Sequence, residues 1–299
     1  TNLDAGGISY DVPYLMAQYG IVPDSIYSGL NYGTKNHVHG EVNAVIQAYM
    51  NAIISAPNKT LSTAWKEGLN GILDAYFGKM PETFTVDGKS YTPKSWMEAC
   101  QIDPQEYVQL TSFTHHPFYE KFVLEIPDNW TASQAYNVPL EVLQQVIDNS
   151  LEAGYAVNWA ADVSEKGFVF NKGFAIIPVT DVEEISGSDR VRWANLTEEE
   201  VKKMSQGPTG PTPEKSITQQ MRQEAFDNYE TTDDHGMLIV GIAEDQQGHR
   251  FYKVKNSWGD KGLYKGYLYV SVPYVLYKTT AIMVNKNSIP QEVKTKLGL

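Results

Sequence analysis

Apolar positions recur at three- and four-residue spacing in the first half of the chain and alternate in the second, which predicts helices followed by strands. Val12, Leu15, Met16 and Tyr19 follow the N-cap candidate Ser9 and stop at Gly20, the pattern of a short packed helix. Over 41–54, Val42, Val45, Ile46, Tyr49, Met50, Ile53 and Ile54 draw one apolar stripe that ends before Pro57. A further helix is expected over 61–77, although Gly68 and Gly71 weaken it. Val86-Asp87-Gly88-Lys89 reads as a turn. Thr92-Pro93 opens a helix that carries Trp96 and Cys100, and Asp103-Pro104 opens another. Leu140, Leu143, Ile147 and Leu151 line one face of a helix over 138–153, closed by Gly154.

Strands are expected at 122–126, 155–162, 173–179, 237–243, 251–255, 264–272 and 280–284. Pro208, Gly210, Pro211 and Pro213 mark an exposed loop between two helical segments. Because the helices precede the strands instead of alternating with them, the fold class is α+β.

Composition narrows the function. The 299 residues are 42% apolar, enough for a sizeable core, and 24 Lys and Arg against 36 Asp and Glu leave a net charge of −12. That field repels phosphate backbones, so nucleic acid is not an expected partner. Cys100 is the one cysteine, which excludes an intrachain disulfide and a multi-cysteine metal site. No apolar run reaches the roughly 18–20 residues of a membrane span.

The sharpest chemistry lies in Asp234-His235-Gly236-Met237, at the mouth of an apolar strand, and in Asn256-Ser257-Trp258-Gly259, which closes the next strand. A base that takes a proton from a thiol must carry charge as imidazolium, and an Asn carbonyl can orient its ring without adding a full opposing charge. A Trp two residues past the Asn can shield that hydrogen bond from water. The pair resembles the His and Asn of papain-type cysteine peptidases. Taken alone, a His before an apolar strand reads as a satisfied core histidine; the two motifs together at this spacing reverse that reading in favour of a catalytic role. Ala5-Gly6-Gly7, ahead of a helix that ends Tyr19-Gly20, resembles the papain-family segment whose Gly-Gly backbone pairs with an extended substrate, although it also fits a helix-entry turn.

Two further motifs, the run from Leu110 through His115-His116-Pro117-Phe118-Tyr119-Glu120-Lys121-Phe122 and Ile126-Pro127-Asp128-Asn129-Trp130, resemble the bleomycin hydrolase and aminopeptidase C branch of that superfamily. Its members follow the His with Ala-Met, where this chain has Gly236-Met237. The resemblance implies a papain-like cysteine peptidase fold: a helical subdomain over 1–29, a mainly helical insertion over 30–153, a β-rich, barrel-like subdomain over 154–288 with catalytic His235 and Asn256, and a C-terminal arm over 289–299. It implies removal of N-terminal residues from peptides, Trp258 supporting Asn256, Gly6 and Gly7 binding substrate, and the carboxylate of Leu299 meeting the substrate amine with Lys286, Lys294 and Lys296 seating the arm. No metal and no cofactor are implied. A homohexamer and a cytoplasmic location are also implied, with export as the alternative.

One departure stands out. The branch carries its nucleophile in a Gln-x-x-x-x-x-Cys-Trp segment upstream of the Gly-Gly, and no such segment occurs in this chain. The nucleophile is therefore expected outside it, and the chain's own missing N-terminal segment becomes a candidate partner. The rival readings are a non-catalytic peptide-binding fragment and an endopeptidase. Cys100 has no neighbouring base and reads as a structural residue. His115-His116 read as packing or subunit contacts, His37 and His39 as a solvated loop, and Asp162 at a strand end as a cap in preference to an amine ligand. Glu198-Glu199-Glu200 read as an acidic first helical turn.

Overall fold

The structure, a computed structural model, describes residues 6–57, 59–178, 210 and 214–299. It divides into two compact units, Thr1–Gly7 with Asp11–Gln105 and Ile8–Tyr10 with Glu106–Leu299.

The first unit is helical around a small hairpin. Helices α1 (Asp11–Tyr19), α2 (Gly40–Ile54) and α3 (Ala64–Phe77) stand where the apolar spacing predicts them. Gly68, a poor helix former, lies where Tyr49 crosses from α2. The Tyr49 hydroxyl donates to the Trp65 carbonyl at 3.2 Å, and a Cβ on Gly68 would lie only 2.2 Å from that hydroxyl oxygen. Strands β1 (Phe84–Val86) and β2 (Lys89–Tyr91) are joined by Asp87 and Gly88 at φ of 49° and 75°, the backbone a two-residue hairpin turn requires. Helix α4 (Pro93–Ala99) opens on a Thr92–Ser95 capping box and sets Trp96 against Tyr91. Cys100 is exposed just past its end, which corrects the expectation of a packed structural cysteine.

The second unit is built on a ten-stranded mixed sheet. Its strands are β3 (Tyr107–Thr111), β4 (Lys121–Val123), β5 (Gln134–Asn137), β6 (Val157–Ala161), β7 (Phe168–Val169), β8 (Phe174–Ala175), β9 (His235–Glu244), β10 (Arg250–Lys255), β11 (Tyr267–Ser271) and β12 (Thr279–Asn285). They pair in the order β4-β5-β3-β12-β6-β9-β10-β11-β8-β7, antiparallel except at β3–β5 and β11–β8. Helix α5 (Leu140–Glu152) buries Leu143, Val146 and Ile147 against Trp159, Ile239, Tyr252 and Ile282 on one face of the sheet. Helices α6 (Gln219–Asp227) and α7 (Val272–Lys278) complete this unit with the C-terminal helix. A smaller cluster of Phe113, Phe122, Leu124 and Ala281 forms a second core.

Three expectations change. The unit boundary falls between Gln105 and Glu106, so 106–153 belongs with the sheet and is not part of a helical insertion. The helix expected from Asp103-Pro104 is a single 3-10 turn, Pro104–Glu106, because β3 begins immediately after it and is buried at its last four positions. The tail over 289–299, expected as an arm, is helical over part of its length. Ile289, Val293 and Leu297 repeat at four residues and are buried, so the segment coils into α8 (Gln291–Leu297), with Leu299 also packed on the core. Ser288 anchors its start through hydrogen bonds to Asn149 and Ser150 of α5.

Candidate active site

His235 opens β9 opposite Ala161, and Asn256 directly follows β10, the antiparallel neighbour of β9. Two strands pairing in this register carry both side chains to the same end of the sheet. The Asn256 N–H donates to the Gly266 carbonyl at 2.9 Å, which fixes the loop after β10. His235 Nε2 then stands 2.8 Å from Asn256 Oδ1.

The role of Nε2 follows from a neighbour. Asn256 Oδ1 also accepts the Ser257 backbone N–H at 2.7 Å, and since that group can only donate, it identifies this atom of the amide as the oxygen. Nε2 must then donate to it. Nδ1 makes no hydrogen bond among the described residues. The arrangement holds one ring nitrogen and leaves the other open, the geometry a general base requires.

Asn256 is only 4% exposed, so its bond to the imidazole is sheltered. Part of the shelter is Trp258, whose ring lies 5.0 Å from the imidazole and is itself held edge-on by Phe170 at 4.9 Å and Phe168 at 6.3 Å. Beside Trp258 opens a hollow of about 400 Å³ lined by Val163, Phe168, Phe170, Asn171 and Lys261. Asn256 Nδ2 is buried without a hydrogen-bond partner, a local cost that the orientation of Oδ1 imposes.

A buried ionic cluster braces the strand end. Asp162, which follows Ala161, accepts hydrogen bonds from Ser164 N–H at 2.8 Å, Ser164 hydroxyl at 2.7 Å and Thr232 N–H at 3.1 Å. It therefore caps the turn after β6 and ties down the loop that leads into His235. Lys278, fully buried, ion-pairs with Glu165, lies 3.8 Å from Asp162 and donates to the Glu230 carbonyl at 2.8 Å. Burial alone would raise the Asp162 carboxyl, but its hydrogen bonds and Lys278 outweigh that and hold it below the usual range. Sequence reasoning missed Lys278 and Glu165. The available signal was a lone Lys between the apolar runs of α7 and β12.

Other candidates fall elsewhere. Gly6 and Gly7 are exposed and belong to the first unit. Ser9 belongs to the second, where a Cβ on Gly236 would meet its hydroxyl at 3.7 Å, ordinary contact, so Gly and Ala are both admissible after His235. His115 stacks on Phe226 and meets Gln223, and His116 stacks on Phe122, both packing roles. His37 and His39 meet edge to face, with His39 against Phe77. Among the described residues, no three His, Cys, Asp or Glu gather as metal ligands, and no helix is long and apolar enough to cross a membrane. Glu198-Glu199-Glu200 and, apart from Gly210, the proline-rich loop lie outside the described residues.

A sheet that presents His and Asn at one end, with a Trp over their bond, has the architecture of a papain-like cysteine peptidase. Comparison with known proteins agrees. Residues 215–298, which hold His235, Asn256 and Trp258, match the Peptidase C1-like family. Aminopeptidase G of Lactobacillus delbrueckii subsp. lactis is 24% identical over 95% of this chain and 63% of its own length. Aminopeptidase C of Streptococcus thermophilus is 21% identical over 93% of this chain and 62% of its own. The crystal structure of PepW from Lactobacillus rhamnosis HN001 superposes with a TM-score of 0.67 at 18% identity, covering 98% of this chain and 65% of that one. The fold is that of the papain-like cysteine peptidases, and the chain is similar to their bleomycin hydrolase and aminopeptidase C branch. It spans less than two thirds of the length of these relatives.

Proposed function

We propose that this chain carries the general-base half of a thiol peptidase that removes N-terminal residues from peptides. The observation that supports this most is the imidazole with Nε2 held by Asn256 and Nδ1 open. A thiolate supplied by a cysteine other than the exposed Cys100 attacks the scissile carbonyl, its proton having passed to Nδ1. His235 returns that proton to the leaving amine, and then activates the water that releases the acyl group. Asn256 keeps the ring in register through both transfers, and Trp258 keeps water from their bond. The relatives' names support aminopeptidase action, and both motifs lie inside the stretch that matches the peptidase family.

The test is hydrolysis of aminoacyl coumarin amides by the full-length gene product, before and after alkylation with iodoacetamide. Turnover that alkylation abolishes is expected. Turnover that survives alkylation, or none on any amide offered, overturns the reading.

A further inference from the structure

Along β10 and β11, Tyr252, Val254, Leu268 and Val270 enter the main core, so Phe251 and Tyr269 alternate onto the opposite face of the sheet. On that face a hollow of about 390 Å³, the size of a small-ligand pocket, opens over them and is walled by Phe174, Tyr264 and Glu244. The backbone beneath Tyr264 is built to receive its ring. Gly173 sits at φ 80°, and a Cβ there would come within 2.4 Å of the Tyr264 ring, so a glycine is needed for so close an approach. Tyr264 in turn meets Tyr269 edge to face, with ring centroids 5.2 Å apart at 88°. Two tyrosine rings at right angles form the corner of an aromatic cage, and their faces attract a cation.

The other side of the hollow is acidic. Asp245 is occupied in the β9–β10 turn, where it accepts the Gln247 and His249 N–H groups and faces the His249 ring at 2.8 Å. Glu244 is open. Its cross-strand neighbour Arg250 is bound to Asp148 of α5, and its carboxylate takes no hydrogen bond or ion pair among the described residues. Lys172 also borders the hollow, but it precedes β8, three strands from β9, or about 14 Å across the sheet. An open carboxylate beside aromatic walls matches a side chain with an aliphatic stem and a cationic end.

We propose that this hollow binds a lysine or arginine side chain of a basic peptide, its stem along the aromatic walls and its charged end at Glu244. The net charge of −12 draws a polycationic peptide more strongly than a free amino acid, whose own carboxylate opposes the attraction. Glu244 lies nine residues along β9 from His235, about 30 Å at roughly 3.3 Å per residue, so the peptide is engaged well away from the base. The hollow binds such a peptide whether or not amides are hydrolysed at His235.

The test uses hexapeptides of alternating Gly and Lys, Gly and Arg, or Gly and norleucine, acetylated and amidated at their ends, together with free lysine. Norleucine keeps the stem and drops the charge. Binding to the full-length gene product is measured by titration calorimetry for wild type, Glu244→Gln and Tyr264→Leu, with folding of each variant verified by thermal melting. Expected is at least tenfold tighter binding of the basic peptides than of the norleucine peptide or free lysine, and at least a fivefold loss of basic-peptide binding in each variant. Equal binding of the norleucine peptide would show a groove that ignores charge, and equal binding of free lysine would show an amino-acid site. Undiminished binding by either variant would show attraction to the acidic surface at large. Each of these results overturns the proposal, as does failure of both basic peptides to bind.

Discussion

Replacing Asp233 with Asn should stabilise the folded chain at neutral pH and leave it unchanged in acid. Burial, with Asp128 and Asp234 adding to it against the opposing Thr280 hydrogen bond, pushes the Asp233 carboxyl from an ordinary 3.8 up to about 6. Between those values the folded chain holds a proton that the unfolded chain has released, so stability falls as pH rises through this window and the cost persists above it. At about 1.4 kcal/mol per unit, the full cost is about 3 kcal/mol, drawn down toward about 2 kcal/mol by the side chain's partial exposure. Asn keeps an oxygen for the Thr280 hydroxyl, so the substitution removes the charge and spares the hydrogen bond. Urea unfolding of both proteins across about pH 4 to 8 checks this. The two should agree near pH 4 and diverge to about 2–3 kcal/mol in favour of the variant above pH 7. Parallel curves across the range would refute the argument, because the charge would then cost nothing to bury.

Other substitutions probe the remaining supports. Lys278→Met should cost about 3–5 kcal/mol in urea unfolding by stranding Asp162 and Glu165, and adding Asp162→Asn should recover part of that loss. Gly266 holds Asn256 through its carbonyl and sits at φ 88° with no room for a Cβ, the Gly259 carbonyl oxygen being 2.5 Å away. Gly266→Ala should therefore reduce amide hydrolysis at least tenfold, whereas Gly236→Ala should stay within twofold of wild type in the same kinetic assay. Leu297→Ala should destabilise by about 2–4 kcal/mol on thermal melting, since α8 is held by its buried face.

What could be read from the sequence follows periodicity. α2 and α5 show one apolar face each, and β9 and β10 carry runs long enough to announce themselves. β3 was invisible because four of its five positions, including Gln109 and Thr111, are buried, so no alternation marks it. In the tail, polar residues such as Gln291, Glu292, Lys294, Thr295 and Lys296 separate the anchors Ile289, Val293 and Leu297, which nevertheless repeat at helical spacing. His235 and Asn256 were legible because local motifs carry them to neighbouring strands. The hollow at Glu244 was not. Its walls come from β8, β9, β10 and β11, and only strand order brings them together.

The central claim is that His235, oriented by Asn256, is the base of a thiol peptidase. It is tested most directly by amide hydrolysis in the full-length gene product carrying His235→Ala, with folding verified by circular dichroism. The account predicts a fall of at least about a thousandfold. A rate within twofold of wild type would contradict it.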